Sequence, residues 1–375
     1  MFELDDHYQA IQEEARAVAD AVAPFAVEAD ASNEIYAPVL DALRASSLSE
    51  LMVPRAHGGR DESPDPLAIT LVREAFMYES SHLDSIFALQ GIGSYAISVA
   101  GTAAQQAEWL PKVASAEALA AIALTEPVAG SDLKSITTTA EIDGDEAVIN
   151  GDKAFISNGA AATFFTTFVR EGDGYSLFLV PADTPGVSVT PVPELMAPHV
   201  LGDVHYDNVR VPVSARIGEP GKGLSHVLAT LTVFRVSVAG AACGLAQGAL
   251  EEATRHARTR QQFGRPLAKL GPVASLLADA WTDLEAARLL TYRAAARARD
   301  GYPGTLEHSS MAKVFATEAA CRIVDRCVQV MGRWGVIRDS KVERCYRQAR
   351  PMRIYEGASE VLRLGIARQL TLEVE

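Results

Sequence analysis

One change of texture constrains this chain more than any other feature. From about residue 119 to 220, β-branched residues, glycines and prolines dominate, and on both sides a helical period prevails. Inside the block, 136–142 and 147–150 flank a Gly144-Asp145 turn signal. Segments 164–170 and 175–180 flank Glu171-Gly172-Asp173-Gly174, which predicts a hairpin, and 187–192 and 204–211 predict further strands. Ahead of the block, 8–23, 38–46, 67–79 and 103–114 place apolar residues at helical spacing, and 54–66 reads as a loop. After Gly223, long helices are predicted over 224–257, 268–300, 306–331 and 359–370, punctuated by Gly332, Gly335, Pro351 and Gly357. The expectation is an α+β multidomain chain. A helical N-terminal domain covers 1–118, a β-barrel or sandwich domain 119–222, and a four-helix bundle 223–375.

A chain of 375 residues suits two or three domains, and 48% hydrophobic with 22% charged residues excludes a disordered chain or a disulfide miniprotein. The acidic start, Met1-Phe2-Glu3-Leu4-Asp5-Asp6, predicts no secretory signal. No uninterrupted apolar run reaches the ~18 residues of a membrane span, and 227–250, broken by Arg235, predicts a buried helix. A cytoplasmic protein without a membrane partner is expected. Cys243, Cys321, Cys327 and Cys345 form no C-x-x-C pair and read as reduced core thiols. The histidines show no zinc-site spacing, so no metal is expected.

The net charge of −14 is unevenly spread. Residues 1–250 hold 13 basic and 33 acidic side chains; residues 251–375 hold 21 and 15. The C-terminal third is where an anionic ligand would be sought. Arg338, Lys341, Arg344, Arg347, Arg350 and Arg353 recur every three residues. They read either as a solvated or internally paired helix face or as a surface for a phosphorylated ligand or acidic partner.

The segment Leu124-Thr125-Glu126-Pro127-Val128-Ala129-Gly130-Ser131-Asp132 offers backbone donors, hydroxyls and a flexible glycine. Such a loop can follow the edge of a planar heterocycle or hold a phosphate; the other reading is an interdomain turn. Further along stand Asn150-Gly151-Asp152-Lys153-Ala154-Phe155-Ile156-Ser157-Asn158-Gly159, Val209-Arg210-Val211-Pro212 and Gly244-Leu245-Ala246-Gln247. Arg260-Gln261-Gln262-Phe263-Gly264 and Tyr355-Glu356-Gly357 follow. Together and in this order they resemble the acyl-CoA dehydrogenase family, whose signatures read T-E-P-x-A-G-S-D, N-G-x-K-x-[W/F]-I-[T/S]-N and Y-E-G. The resemblance spans nearly the whole chain.

The resemblance implies FAD and oxidation of a short or medium acyl thioester to the 2,3-enoyl thioester, with α-proton loss to a carboxylate and β-hydride transfer to flavin N5. Glu356 matches the catalytic base. The other base position known in the family falls on Phe234, which carries no carboxylate. Leu124, Thr125, Gly130, Ser131, Phe155, Ile156 and Ser157 match flavin-contacting positions, Ser157 facing N5 and Phe155 covering a flavin face. Phe155 also reads as a core aromatic. Arg260 and Phe263 match a contact to FAD made across a subunit interface, and Gln329 and Gly332 one near the adenosine end. Ser131, Arg235, Tyr355 and Gly357 match substrate-side positions; Arg235 also reads as a structural salt bridge. The family further implies a homotetramer and an electron-transfer flavoprotein as acceptor.

Several residues depart from the pattern. Ala358 replaces a common Thr, Glu360 a common Gln, Leu270-Gly271-Pro272 a His-Gln or Phe-Gln pair, and Gly332-Arg333-Trp334-Gly335 a Gly-Gly-x-Gly. The connection at 170–175 is short, and Met196-Ala197-Pro198-His199-Val200-Leu201-Gly202 replaces M-G-x-R-x-S. Both regions serve CoA in relatives, so an acyl-carrier protein of a polyketide or other secondary-metabolite pathway is the alternative carrier. An oxidase or monooxygenase on the same fold is a further alternative, against which Glu356 argues. A nucleic-acid-binding relative is another, against which the net negative charge argues.

Overall fold

The computed structural model describes residues 4–192 and 195–373; residues 1–3, 193, 194, 374 and 375 lie outside it. The helices, in chain order, are α1 (Asp6–Val22), α2 (Ala26–Asp30), α3 (Ala37–Ser46), α4 (Pro66–Glu79), α5 (Ser81–Ala100) and α6 (Ala103–Ala114). After the strands come α7 (Gly223–Thr259), α8 (Gly271–Arg299), α9 (Thr305–Met331), α10 (Lys341–Met352) and α11 (Ser359–Glu373). The strands are β1 (Ala120–Ala123), β2 (Thr139–Asp143), β3 (Glu146–Ser157), β4 (Phe164–Glu171), β5 (Gly174–Pro181), β6 (Val187–Pro191), β7 (Leu201–Pro212) and β8 (Arg216–Ile217). A hairpin of β9 (Gln261–Gln262) and β10 (Arg265–Pro266) follows α7. The order is helical, then β, then helical, as expected.

By contact the chain forms two units. The first gathers Met1–Asp30, Pro66–Asp84 and Arg235–Glu375; the second gathers Ala31–Asp65 and Ser85–Phe234.

In the first unit, α1 starts where the Asp5 carboxylate accepts the Tyr8 N–H, and it buries Tyr8, Ile11, Ala15, Ala19 and Val22 as one stripe. That stripe packs on α4, which also contacts α8, while α9 packs on α8, α10 and α11. The backbones of α4 and α7 touch: a Cβ on Gly244 would fall 1.9 Å from the Glu74 carbonyl oxygen, so only glycine fits. Glu74 fixes α4 further by accepting from Arg288 Nε at 2.8 Å and the Tyr292 hydroxyl at 2.7 Å on α8. These contacts determine where Arg73, one residue earlier, is held.

In the second unit the strands form one sheet in the order β6-β7-β3-β2-β4-β5-β8, with β1 parallel to β4. Alternate residues of β3, β4, β5 and β7 turn inward, so Ile149, Phe165, Phe178, Val204 and Tyr206 share one core. Within it the Thr167 and Tyr206 hydroxyls bond each other at 2.8 Å. The predicted hairpin is β4–β5, joined through Gly172-Asp173 with Gly172 left-handed. β1 and α5 were not marked as elements in the sequence.

By length and composition α5 and α7 could each cross a membrane, but 72% of each qualifying stretch is buried inside the protein, the signature of core helices. The expectation of no span-length apolar run therefore holds only for uninterrupted runs. The run from Arg338 to Arg353 resolves as a paired face. Lys341 meets Glu79, Arg344 meets Asp30, Arg347 meets Glu343 and Asp339, and Arg353 meets Glu318. All four cysteines are free thiols, and burial pushes Cys327 and Cys345 up to about 12.

Candidate active site

Glu356 stands in the short connection between α10 and α11, in the first unit. Its backbone is left-handed, φ 51°, and Gly357 follows at φ 107°. Two basic side chains hold the successive carbonyls of this turn. Arg235 Nε on α7 donates to the Glu356 carbonyl at 3.0 Å, and Lys313 Nζ on α9 donates to the Gly357 carbonyl at 2.7 Å. Arg235 Nη1 also donates to Ser310 Oγ. The strain of a non-glycine residue at positive φ is thus offset by charge-assisted hydrogen bonds.

The Glu356 side chain is 14% exposed, and Oε2 is buried without a hydrogen-bond partner among the described residues. Burial pushes its carboxyl above the usual range, while Arg73, Arg235 and Lys313 pull it back down. Burial also draws the Lys313 ammonium down to about 8. A desolvated carboxylate with an unsatisfied oxygen is what abstraction of a weakly acidic proton requires.

A fourth element of this cluster went unread in the sequence. Arg73 on α4 is 3% exposed, and its Nη1 lies 4.0 Å from Glu356 Oε1. It grips Asp84 at the start of α5 with two bonds of 2.8 Å and donates to Ser237 at 2.9 Å. Tyr355 is 38% exposed and makes no side-chain hydrogen bond to the cluster among the described residues, but its phenol interacts electrostatically with Arg73, Asp84 and Glu356. Arg235 here donates to the turn's backbone and to Ser310.

The second unit carries the other cluster. Lys153 Nζ donates to Glu126 Oε1 at 2.8 Å and to the Leu124 carbonyl at 3.1 Å, with both charged side chains fully buried. Glu126 also accepts from the Thr137 and Thr138 amides, which ties the loop after β1 to β3. The Thr125 carbonyl accepts the Ala154 N–H at 2.8 Å. The Glu126 carboxyl falls to about 2, because the bonds from Lys153, Thr138 and Thr137 outweigh its desolvation.

Between Lys153 and Ile156 the register of β3 against β7 slips, a bulge. The bulge turns Phe155 left-handed, φ 55°, and leaves the residue 57% exposed, with its N–H on Asp203 Oδ1 at 2.9 Å. Phe155 is therefore not a core aromatic. Ile156 points into the β core, so only its backbone faces outward chemistry. Ser157 Oγ bonds His199 Nε2 at 3.1 Å, and the same nitrogen lies 3.3 Å from Ser85 Oγ. His199 was seen only as a departure from the family pattern. Gly130 and Ser131 are exposed, and a Cβ on Gly130 would meet open space. An aromatic face held out on a bulge, a hydroxyl beside it and an open loop fit a flat heterocycle such as the flavin of FAD.

Arg260 and Phe263 sit at the β9–β10 hairpin, with Phe263 87% exposed at φ 51°. Gln329, near the end of α9, and Gly332 just beyond it are exposed. None of these four joins the Glu356 cluster through a recorded bond. Among the described residues no group of three or more His, Cys, Asp or Glu could hold a metal.

The sequence matches three profiles of one family in order: acyl-CoA dehydrogenase N-terminal domain over residues 5–117, middle domain over 121–209 and C-terminal domain over 221–371. Cyclohexane-1-carbonyl-CoA dehydrogenase of Geobacter metallireducens is 35% identical, covering 100% of both chains. The structure of butyryl-CoA dehydrogenase from Megasphaera elsdenii superposes with a TM-score of 0.94 at 30% identity, covering 99% of this chain and 100% of that one. A glutaryl-CoA dehydrogenase from Mycobacterium smegmatis in complex with FADH2 superposes at 0.92 with 26% identity, covering 98% and 95%. With its three domains matched in order and its whole length aligned to such a relative, the chain belongs to the acyl-CoA dehydrogenase family, FAD-dependent oxidoreductases acting on CH–CH bonds.

Proposed function

We propose that this enzyme oxidises a short or medium acyl-CoA to the 2,3-enoyl-CoA, with Glu356 as the base. The observation that supports this most is Glu356 Oε2, buried and unpartnered on a turn clamped by Arg235 and Lys313. In this reading Oε2 takes the α-proton. The strained turn fixes its position, and Ser157 and Phe155 orient the cofactor. Bound FAD supplies the hydride acceptor for the β-carbon. Leu124, Thr125, Gly130, Ser131 and the Ile156 backbone line the flavin, while Arg260, Phe263, Gln329 and Gly332 hold the rest of FAD in a homotetramer. An electron-transfer flavoprotein takes the electrons, the acceptor that family membership implies.

The test is an anaerobic titration of purified enzyme with a panel of acyl-CoAs, including cyclohexane-1-carbonyl-CoA, the ester in the name of the 35%-identical relative. Wild-type flavin bleaches; Glu356→Gln keeps FAD and stays yellow. Bleaching of that variant at the wild-type rate would remove Glu356 from the role.

A carrier-protein-bound acyl chain is the second reading. The two-residue β4–β5 loop and the engagement of His199 with Ser157 favour it, because both lie in segments that serve CoA in relatives. The same acyl groups presented on a carrier protein decide between the two.

A further inference from the structure

We propose that Arg73 and Asp84 form a charge-balanced pair that sets the basicity of Glu356. The inference rests on the reading of Glu356 as base. Two charges buried together cost several kcal/mol of desolvation each, and well-packed apolar residues often serve stability as well or better. The pair therefore calls for a role beyond packing, and its geometry supplies one. Nε and Nη2 of Arg73 are spent on Asp84, while Nη1, held by Ser237, is turned to Glu356 Oε1 at 4.0 Å.

The charged and titratable groups that face Glu356 are Arg73 from α4, Asp84 from α5, Arg235 from α7, Lys313 from α9 and the phenol of the neighbouring Tyr355. Arg235 and Lys313 direct recorded hydrogen bonds at the carbonyls of the turn. Among the described residues, Arg73 is the basic side chain within ion-pair distance of the Glu356 carboxylate. An unopposed guanidinium there would hold the carboxylate ionised and weaken it as a base. Asp84 offsets part of that charge and leaves the nitrogen in place. The pair can thus orient the carboxylate while lowering its proton affinity less than Arg73 alone would.

The two partners therefore act on Glu356 with opposite signs. Asp84→Asn keeps a hydrogen-bond acceptor for Arg73 but leaves its charge uncompensated, so Glu356 titrates lower, by about one unit. Arg73→Met leaves a bare carboxylate nearby, so Glu356 titrates higher by a similar amount. The double variant returns close to wild type.

The measurement is a difference-infrared pH titration of the protonated carboxyl stretch that disappears in Glu356→Gln. It is paired with the pH profile of anaerobic flavin bleaching in the FAD-loaded enzyme. The expected result is a downward midpoint in Asp84→Asn, an upward one in Arg73→Met and restoration in the double variant. Midpoints that stay fixed or move in the same direction would overturn the proposal, whatever happens to the rates. If Arg73→Met does not fold, judged by lost FAD and lost cooperative melting, the Asp84→Asn shift and its reversal in the double variant still decide. Failure of the base reading looks different: Glu356→Gln would then bleach, while the infrared titration would still report the effect of the pair on the carboxyl.

Discussion

At residue 357 a single methyl group is enough to test how the proposed base, Glu356, is positioned. Gly357 lies at φ 107°, where L side chains are strained, and an added Cβ would sit 2.7 Å from Leu362 Cδ2. Gly357→Ala should shift the turn and carry Glu356 away from its clamps, Arg235 and Lys313. A misplacement of about 1 Å costs on the order of 10²-fold in rate, so bleaching should slow by that order while FAD content stays at the wild-type level. A wild-type rate in this variant would show that the turn tolerates the methyl group and does not fix the proposed base. Tyr355-Glu356-Gly357 was readable only through its resemblance to the family's Y-E-G, since a lone Glu before Gly reads as a surface turn. Arg73, Asp84 and Lys313 were not readable. Each looks like an ordinary charged residue on a helix, and only tertiary packing brings them to the turn. Arg235 was read as ligand-side or salt-bridged, and its bond to a backbone carbonyl leaves no trace in a sequence.

At the scale of elements, the loop after β1 and the bulge in β3 depend on one buried ion pair. Lys153→Met leaves Glu126 charged and buried without its partner, a change that costs about 3–5 kcal/mol when a buried pair is broken from one side. Urea unfolding should show that loss, and Lys153→Met with Glu126→Gln should recover part of it. Equal stability of the single and double variants would mean that the pair is not coupled. The pair also sets an acid limit. The Glu126 carboxyl is depressed from 4.5 to about 2 in the folded protein. In that window the unfolded chain binds the extra proton, so the stabilisation is complete above about pH 4.5 and is lost as pH falls toward 2. Glu126→Gln should flatten the pH dependence of stability over this range; an unchanged slope would assign acid sensitivity to other groups. The strands here were legible from alternation and turn signals, as β4–β5 shows. β1 was not: Ala120-Ala121-Ile122-Ala123 is short, has one β-branched residue, and is a strand because β4 pairs with it. The bulge was invisible for a related reason, since it is a mismatch between two strands and belongs to neither alone.

For the whole molecule, the charge asymmetry along the chain is a folding pattern more than a ligand footprint. Acids of the N-terminal segments meet bases of the C-terminal third: Glu74 with Arg288, Glu79 with Lys341, Asp30 with Arg344. The sequence displayed the excess but not its partners, because the first contact unit is assembled from three stretches far apart in the chain. What these pairings leave unexplained is the β9–β10 hairpin. Phe263 is 87% exposed and held at φ 51°, an arrangement costly for an aromatic residue in water unless something beyond this chain covers it. In the proposed homotetramer the cover is the FAD of a neighbouring subunit, with Arg260 donating to its pyrophosphate. Flavin retention and assembly are then one equilibrium. A charge-assisted hydrogen bond contributes roughly 1.5–3 kcal/mol, so Arg260→Ala should weaken FAD binding about 10- to 100-fold. Dilution of the wild-type enzyme should release flavin at the concentrations where sedimentation shows the assembly separating. Flavin that stays bound to a monomer, with Arg260→Ala retaining it equally well, would take the hairpin out of the cofactor site and leave Phe263 to some other partner.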